Sequence, residues 1–209
     1  NPDALIMPVA VLQSNGSGDM ASIVKAVRYA VDNGAEILSM SFGSTENSKA
    51  LQQALQQAYQ SAILVAAAGN ESLGIDAACS LNGRPLFPGG YSFVLGVMAT
   101  QETKGTNGYR ASFSNYDCDG PVKTSYPEGK GYNYELSAPG AKILSTVPGG
   151  KYQSWNGTSM ATPLVAGGIS RLLQVSDYSS QERLWGDLIH TSGDNVDFEA
   201  CYEVSERHP

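Results

Sequence analysis

Ser159 has the strongest setting for chemistry in this chain of 209 residues. It lies in residues 156–163, which read NGTSMATP, between a Gly-Thr step and a run of small residues that begins a helix. This setting suits a nucleophile, which needs an exposed hydroxyl, but a serine nucleophile also needs a general base. The chain has two histidines, His190 and His208, and both follow Ser159 without a motif that would supply a base. The sequence therefore predicts one half of a catalytic site.

Alternating strand and helix patterns indicate the scaffold that positions this serine. Nearly continuous apolar runs predict strands buried on both faces, at residues 4–12, 37–42 and 63–68. Apolar residues at steps of three and four predict a helix over Ile23–Val31 that ends at Asn33-Gly34. The same pattern predicts a second helix, capped by Asn47 or Ser48 and reaching Ala62. The order strand–helix–strand–helix–strand predicts an α/β fold, a three-layer sandwich around a mainly parallel sheet.

The second half of the chain gives fewer signals. Apolar runs predict further strands at 92–100 and 142–147, with an irregular stretch over 101–139 between them. The helix that carries Ser159 is predicted over 158–173. A last helix is predicted from about residue 179 to residue 190, but the tail 174–209 as a whole has no assignment. With no repeat and no linker, residues 1–209 are predicted to form a single domain.

Composition excludes several classes of function. The formal net charge is −7 and there is no basic patch, so we expect no nucleic-acid partner. We also expect no membrane span and no leader at Asn1. The three cysteines, Cys79, Cys118 and Cys201, are too few for a disulfide scaffold, and both a bridge and free thiols remain open for them. None has metal-ligand spacing, so the sequence assigns no metal site and no cofactor.

Three short polar segments follow the first three predicted strands: Gly16-Ser17-Gly18, Ser41-Phe42-Gly43 and Gly69-Asn70. Ligands of open parallel sheets bind at the carboxyl ends of the strands, and glycines let a substrate backbone come close. The Asn70 amide and the N–H of Ser159 could together hold an oxyanion. Pro163 lacks the N–H that would bond the carbonyl of Ser159, which leaves that carbonyl available to another group.

These segments resemble the motifs of the subtilisin-like serine proteases, or subtilases. The motif at residues 157–163, called the serine box, continues into Val165-Ala166-Gly167 and is highly specific for the family. The segment Val65–Glu71, which resembles the oxyanion segment of the family, is equally specific. Residues 39–43 and 16–18 are similar to the two edges that bind substrate backbone. Three other segments are weaker matches, at Phe87-Pro88-Gly89, Arg110–Ser114 and Ala138-Pro139-Gly140. The resemblance covers about residues 6–173.

The resemblance implies a serine endopeptidase that cleaves polypeptides through an acyl-enzyme on Ser159. Asn70 would be the oxyanion donor, and Gly16, Ser17, Gly18, Ser41, Phe42, Gly43 and Gly69 would bind substrate. A secreted or cell-surface location is the tendency of the family. Asp76 could line the pocket for the residue before the scissile bond, although a solvated loop carboxylate is the simpler interpretation. Acidic loops can bind calcium, but Asp117 and Asp119 supply too few ligands to assign such a site.

Two motifs of the family have no counterpart in these residues. In subtilisin the order is Asp, His, Ser, so the first two motifs belong before Ile6. In the family fold the Asp strand also lies between the first two strands predicted here, which would leave the sheet with a gap. We therefore expect a partial catalytic domain, inactive alone and completed by the N-terminal part or a second chain. The alternative is a non-catalytic subtilase-like module that binds peptides or proteins.

Overall fold

The computed structural model describes residues 1–75, 80–101, 109–117, 134–175, 184 and 187–188. Within these ranges there are three helices, α1 (Met20–Asp32), α2 (Lys49–Ala58) and α3 (Thr158–Val175). The strands are β1 (Ile37–Met40), β2 (Ile63–Ala67), β3 (Leu95–Gln101), β4 (Tyr109–Arg110), β5 (Leu136–Pro139), β6 (Ile143–Val147) and β7 (Lys151–Trp155).

The main sheet is mostly parallel, with β2 and β3 at its centre. β1 runs parallel to β2, with Ile37 opposite Ile63. β2 runs parallel to β3, which in turn pairs in parallel with β5 and in antiparallel with β4. Every residue of β2 is buried, as its unbroken apolar run predicts. β6 and β7 form a separate antiparallel hairpin.

Helices cover both faces of the sheet, so the predicted three-layer α/β sandwich is confirmed. One core cluster joins α1 and α2 to alternate residues of β1 and β2, including Leu38, Leu64 and Ala66. A second cluster joins α3 to the opposite faces of β2 and β3, through Val65 and Val97. This alternation follows from the two-residue period of a strand.

Side chains cap the starts of α1 and α2, and Ser48 is one of the two caps predicted for α2. Asp19 caps α1 by accepting a hydrogen bond from the N–H of Ser22, and Ser48 caps α2 in the same way through Leu51. α1 ends at Asp32. It is followed by its C-cap residue Asn33 and by Gly34, which has a φ of +83°. In the described part of the chain, no helix is long and apolar enough to cross a membrane.

The predicted strand at residues 4–12 is wrong. The segment contains no strand, and Leu5 and Ile6 are 98% and 84% exposed. Residues before and within the segment contact both helical layers: Asn1 and Asp3 hydrogen bond to α3, while Val11 packs against the α1–α2 cluster. An apolar run is buried as a strand only if another strand lies beside it. Among the described residues none does, and β1 pairs on one side only, with β2.

Other differences concern the second half of the chain. The stretch 101–139 contains β4 and β5, and the strand predicted at 142–147 pairs with β7 in the hairpin instead of joining the sheet. β5 has only four residues, of which two are Ser137 and Pro139, so it lacks an apolar run and depends on its pairing with β3. The last predicted helix falls mostly outside the described residues. The same is true of all three cysteines, both histidines, Asp76 and Asp119.

Candidate active site

Ser159 lies in the first turn of α3, next to the end of β1. Its hydroxyl donates a hydrogen bond to the carbonyl oxygen of Ser41, 3.3 Å away. In return, the hydroxyl of Ser41 donates to the carbonyl oxygen of Ser159 at 2.9 Å. The two serines are therefore fixed to each other by a reciprocal pair of hydrogen bonds between helix and strand end.

Pro163 explains why the carbonyl of Ser159 accepts a side chain. In a regular helix the N–H of residue 163 would bond to this carbonyl, but proline has no N–H. The freed acceptor is half-buried, where an unmade hydrogen bond is costly, and the Ser41 hydroxyl satisfies it. The prediction that Pro163 frees this carbonyl for another group is confirmed.

Asn70 is held at the N-terminus of α3 by its own side chain. Its Oδ1 accepts hydrogen bonds from the N–H and the hydroxyl of Thr158, at 2.8 and 3.1 Å. The Thr158 hydroxyl also accepts the N–H of Gly69 at 3.1 Å, and Thr158 is fully buried. Because Oδ1 faces these two donors, the NH₂ group of Asn70 is directed to the other side of the amide and is available as a donor.

The donors of Asn70 and Ser159 converge beside Gly157. A methyl group built on Gly157 would lie 3.6 Å from Nδ2 of Asn70 and 3.6 Å from the backbone nitrogen of Ser159. It would also lie 3.4 Å from Sδ of Met160. Glycine at position 157 therefore leaves a small space beside these two nitrogen atoms that a side chain would occupy.

The predicted substrate segment Ser41-Phe42-Gly43 continues β1 toward residues 86–87. Ser44 and Phe87 exchange two backbone hydrogen bonds, of 2.9 and 2.8 Å. A Cβ on Gly43 would lie 2.4 Å from Cδ2 of Leu86, so the Leu86 side chain packs directly against the backbone of Gly43. Phe42 packs against the α1–α2 cluster.

The other predicted edge, Gly16-Ser17-Gly18, forms a compact exposed loop. The N–H of Gln13 bonds to the carbonyl of Ser17 at 2.8 Å, and Asn15 accepts the N–H of Ser17. A Cβ on Gly18 would lie 2.5 Å from the carbonyl oxygen of Val11. The described hydrogen bonds of this loop are internal, and they do not connect it to Ser159.

Sequence reasoning missed the residues that support the site from behind. Asn115, which is buried, hydrogen bonds to the turn at Gly69-Asn70-Glu71, and Thr158 joins that turn to α3. Glu135 is buried next to β5 and accepts the N–H of Gly96 at 2.8 Å. Burial raises the pKa of Glu135 well above its usual value, and the nearby Asp117 adds to this. None of these single polar residues carries a periodic pattern that would identify it in the sequence.

A three-layer α/β fold with a serine and two converging N–H donors at the start of one helix is typical of serine hydrolases. The Subtilase family model matches residues 1–202, and the chain belongs to this family. It is 36% identical over 184 residues to an intracellular serine protease of Paenibacillus polymyxa, covering 88% of this chain and 50% of that protein. It is also 36% identical over 167 residues to thermitase of Thermoactinomyces vulgaris, covering 79% of this chain and 50% of thermitase.

Solved structures agree with this assignment. Sphericase superposes with a TM-score of 0.71 at 31% identity, over 86% of this chain and 57% of that one. A cold adapted subtilisin-like serine proteinase gives a TM-score of 0.69 at 31% identity, over 90% and 60% of the two chains. The chain thus spans about half the length of the curated relatives described here. The serine box and the oxyanion segment, which identified the family in the sequence, lie side by side in the fold.

Proposed function

We propose that this chain contributes the nucleophile and the oxyanion donors of a serine endopeptidase. In the proposed reaction, Oγ of Ser159 attacks the scissile carbonyl carbon and gives its proton to a histidine from outside these residues. The carbonyl oxygen becomes an oxyanion, bound by Nδ2 of Asn70 and the N–H of Ser159. Collapse breaks the C–N bond, the histidine protonates the leaving amine, and water then releases the acyl group from Ser159.

One observation carries this proposal: Nδ2 of Asn70 and the backbone nitrogen of Ser159 both lie beside the space at Gly157, at the start of the helix that carries the Ser159 hydroxyl. A module that only binds peptides has no use for two donors directed at an oxyanion. The serine protease names of the relatives at 36% identity support the same reaction. The non-catalytic alternative has no comparable observation in its favour.

The substrate of this reaction is proposed to be an extended polypeptide. It would pair as a strand with residues 41–43, whose backbone continues an edge strand of the sheet. Residues 16–18 would form the opposite edge, as the family resemblance implies. We propose no cofactor, and the location outside the cell stays a prediction, since one relative is named as intracellular.

The missing base is proposed to arrive on a polypeptide that docks between residues 4–12 and β1. Both sides of this gap are open in the described chain: Leu5 and Ile6 are exposed, and β1 lacks a second neighbour. A parallel strand inserted there would pair with the free edge of β1 and bury the exposed apolar side chains. Its carboxyl end would then lie near Ser41 and Ser159, where an aspartate and a histidine are needed.

Labelling with a fluorophosphonate probe tests the proposal. The chain alone should react very slowly, because the Ser159 hydroxyl has no base among the described residues. Co-expression with the Asp- and His-containing part of a subtilase such as thermitase should raise the labelling rate strongly. Ser159→Ala is the control that should abolish labelling.

Two outcomes of the labelling experiment would contradict the proposal. If the two parts form a complex that buries Leu5 and Ile6, and Ser159 still does not react, the chain is a binding module. If labelling appears but survives Ser159→Ala, another residue is the nucleophile.

A further inference from the structure

Asn115 has a buried side chain that uses its whole hydrogen-bonding capacity on one turn. Only 2% of Asn115 is exposed. Its Oδ1 accepts the N–H groups of Glu71 and Leu73, both at 3.0 Å. Its Nδ2 donates to the carbonyl of Ala68 at 3.0 Å and to Oε2 of Glu71 at 2.7 Å. An amide can make two donor and two acceptor bonds of this kind, so the side chain is saturated.

All four bonds end on residues that flank Asn70. Ala68 precedes the Gly69-Asn70 step, and Glu71 follows it. The backbone of Asn115 adds a fifth bond, from its N–H to the carbonyl of Gly69 at 2.9 Å. Asn115 thus holds both sides of the turn but makes no described bond to Asn70 itself.

Glu71 connects the two asparagines. The same Oε2 that accepts from Asn115 also accepts the backbone N–H of Asn70 at 3.0 Å. Asn115 packs closely against the turn: Gly69 has a φ of +109°, and a Cβ there would lie 2.4 Å from Nδ2 of Asn115. The Asn70 backbone is therefore fixed through Glu71, and its side chain is fixed by Thr158.

We infer that Asn115 is a positioning residue for the Asn70 amide, acting through Glu71 and the turn at 68–73. This inference rests on the proposed function, in which Nδ2 of Asn70 binds the oxyanion. An oxyanion donor is effective only when it is already directed at the position where charge develops. Asn115 touches neither the substrate nor Ser159, so its effect on turnover must pass through Asn70.

Asn115→Asp is the variant that separates positioning from folding. It keeps the shape of the side chain and both acceptor bonds, but it removes the donors to Ala68 and Glu71 and sets a carboxylate against that of Glu71. In the active assembly we expect kcat to fall about 10- to 100-fold, the scale for a misplaced catalytic group. KM should change little, because the lost interaction belongs to the transition state.

A double-mutant cycle with Asn70→Ala gives the decisive comparison. If Asn115 acts through Asn70, Asn115→Asp should lower kcat less than about threefold once the Asn70 amide is gone. A purely structural role predicts the same fold-loss in both backgrounds, and that result would overturn the inference. Asn33→Asp, which alters an exposed asparagine at the end of α1, is the matched control and should leave kcat unchanged.

A second measurement needs no activity and uses the chain as it stands. In the parent chain the NMR chemical shifts of the two side-chain amide protons of Asn70 should differ from those of a mobile asparagine, because Thr158 holds Oδ1 in place. Asn115→Asp, or Asn115→Ser if the first variant does not fold, should move these signals toward the values of a mobile amide. Unchanged signals would contradict the positioning role. If the signals change but the assembly shows no turnover, Asn115 still positions the Asn70 amide, and the proposed protease function is wrong.

Discussion

The surroundings of Ser159 and the face formed by residues 4–12 with β1 differ sharply. Around the serine, Thr158 is fully buried, its N–H donates to Asn70, and its hydroxyl both donates to Asn70 and accepts from Gly69. On the other face, Leu5 is 98% exposed and the edge of β1 has no strand beside it within the described chain. In the region around the serine, the buried polar groups named here are hydrogen bonded. In the second region, apolar side chains that would suit a core are exposed to solvent.

The two halves of the proposed catalytic site therefore depend on different parts of the structure. The nucleophile and the oxyanion donors depend on contacts among α3, the end of β2 and residues 113–116, all present in this chain. The base depends on whatever occupies the open edge of β1. The nucleophilic half can therefore be well ordered in a chain that does not turn over substrate.

A pair of truncations tests this contrast most strongly. Leu55→Ala, in the buried core, should lower the free energy of unfolding of the chain by about 2–5 kcal/mol. Ile6→Ala, on the open face, should change it by less than about 0.5 kcal/mol. Urea denaturation followed by circular dichroism measures both. A large loss for Ile6→Ala would mean that residues 4–12 are buried in solution and that the two regions do not differ in burial.

Removing the Asn70 amide tests whether the well-packed region around Ser159 is also the catalytic region. If Asn70 is the oxyanion donor, as proposed, Asn70→Ala should lower kcat of the active assembly about 10²- to 10³-fold, the loss known for the oxyanion asparagine of subtilisin. KM should be nearly unchanged, because the donor acts on the transition state. Steady-state hydrolysis of a peptide substrate provides both constants. A comparable rise in KM with kcat retained would assign Asn70 to substrate binding instead.

Thr158→Val measures how much the connection between α3 and the Gly69 turn contributes to the free energy of unfolding. Valine keeps the volume but leaves the buried N–H of Gly69 without its acceptor, at a cost of about 1–3 kcal/mol. Thr162→Val is the matched control, since its hydroxyl only adds a second bond to the carbonyl of Thr158, within the helix. It should cost about 1 kcal/mol or less. Equal losses in urea titrations would show that the turn does not depend on Thr158.

Glu135→Gln should have the smallest effect, visible only as a pH dependence. Burial raises the pKa of Glu135 in the folded chain, so the protonated form is favoured there. Its stabilisation is present below the unfolded pKa, about 4.3, and is lost as pH rises through the folded value. Glutamine keeps an acceptor for the N–H of Gly96 and cannot ionise. The variant should match the parent near pH 4 and exceed its stability at pH 8, whereas parallel pH curves would contradict the assignment.

The predictable parts of the fold are those in which local pattern and tertiary environment agree. The apolar stripes of α1 and α2 and the unbroken run of β2 predict helices and a strand that the structure contains. Residues 4–12 show the limit of this reasoning. Their apolar composition indicates that they can be buried, but it carries no information about whether a neighbouring strand is present.

The candidate site divides in the same way. Ser159, Asn70 and Pro163 belong to contiguous motifs, so their proximity was expected from strand and helix ends. Asn115 is a single loop asparagine, and only the path of the chain between β4 and β5 brings it under the Gly69 turn. A role that depends on one long-range contact leaves no trace in periodicity or composition.

The hydrogen bonds between Ser41 and Ser159 have a mechanical consequence. Ser41 directly follows β1, the strand with the open edge, and the same residue bonds to both the hydroxyl and the carbonyl of Ser159. A strand that pairs with β1 and shifts it along its axis would displace the Ser159 hydroxyl through a single residue. Ser41 therefore ties the position of the Ser159 hydroxyl to the end of β1.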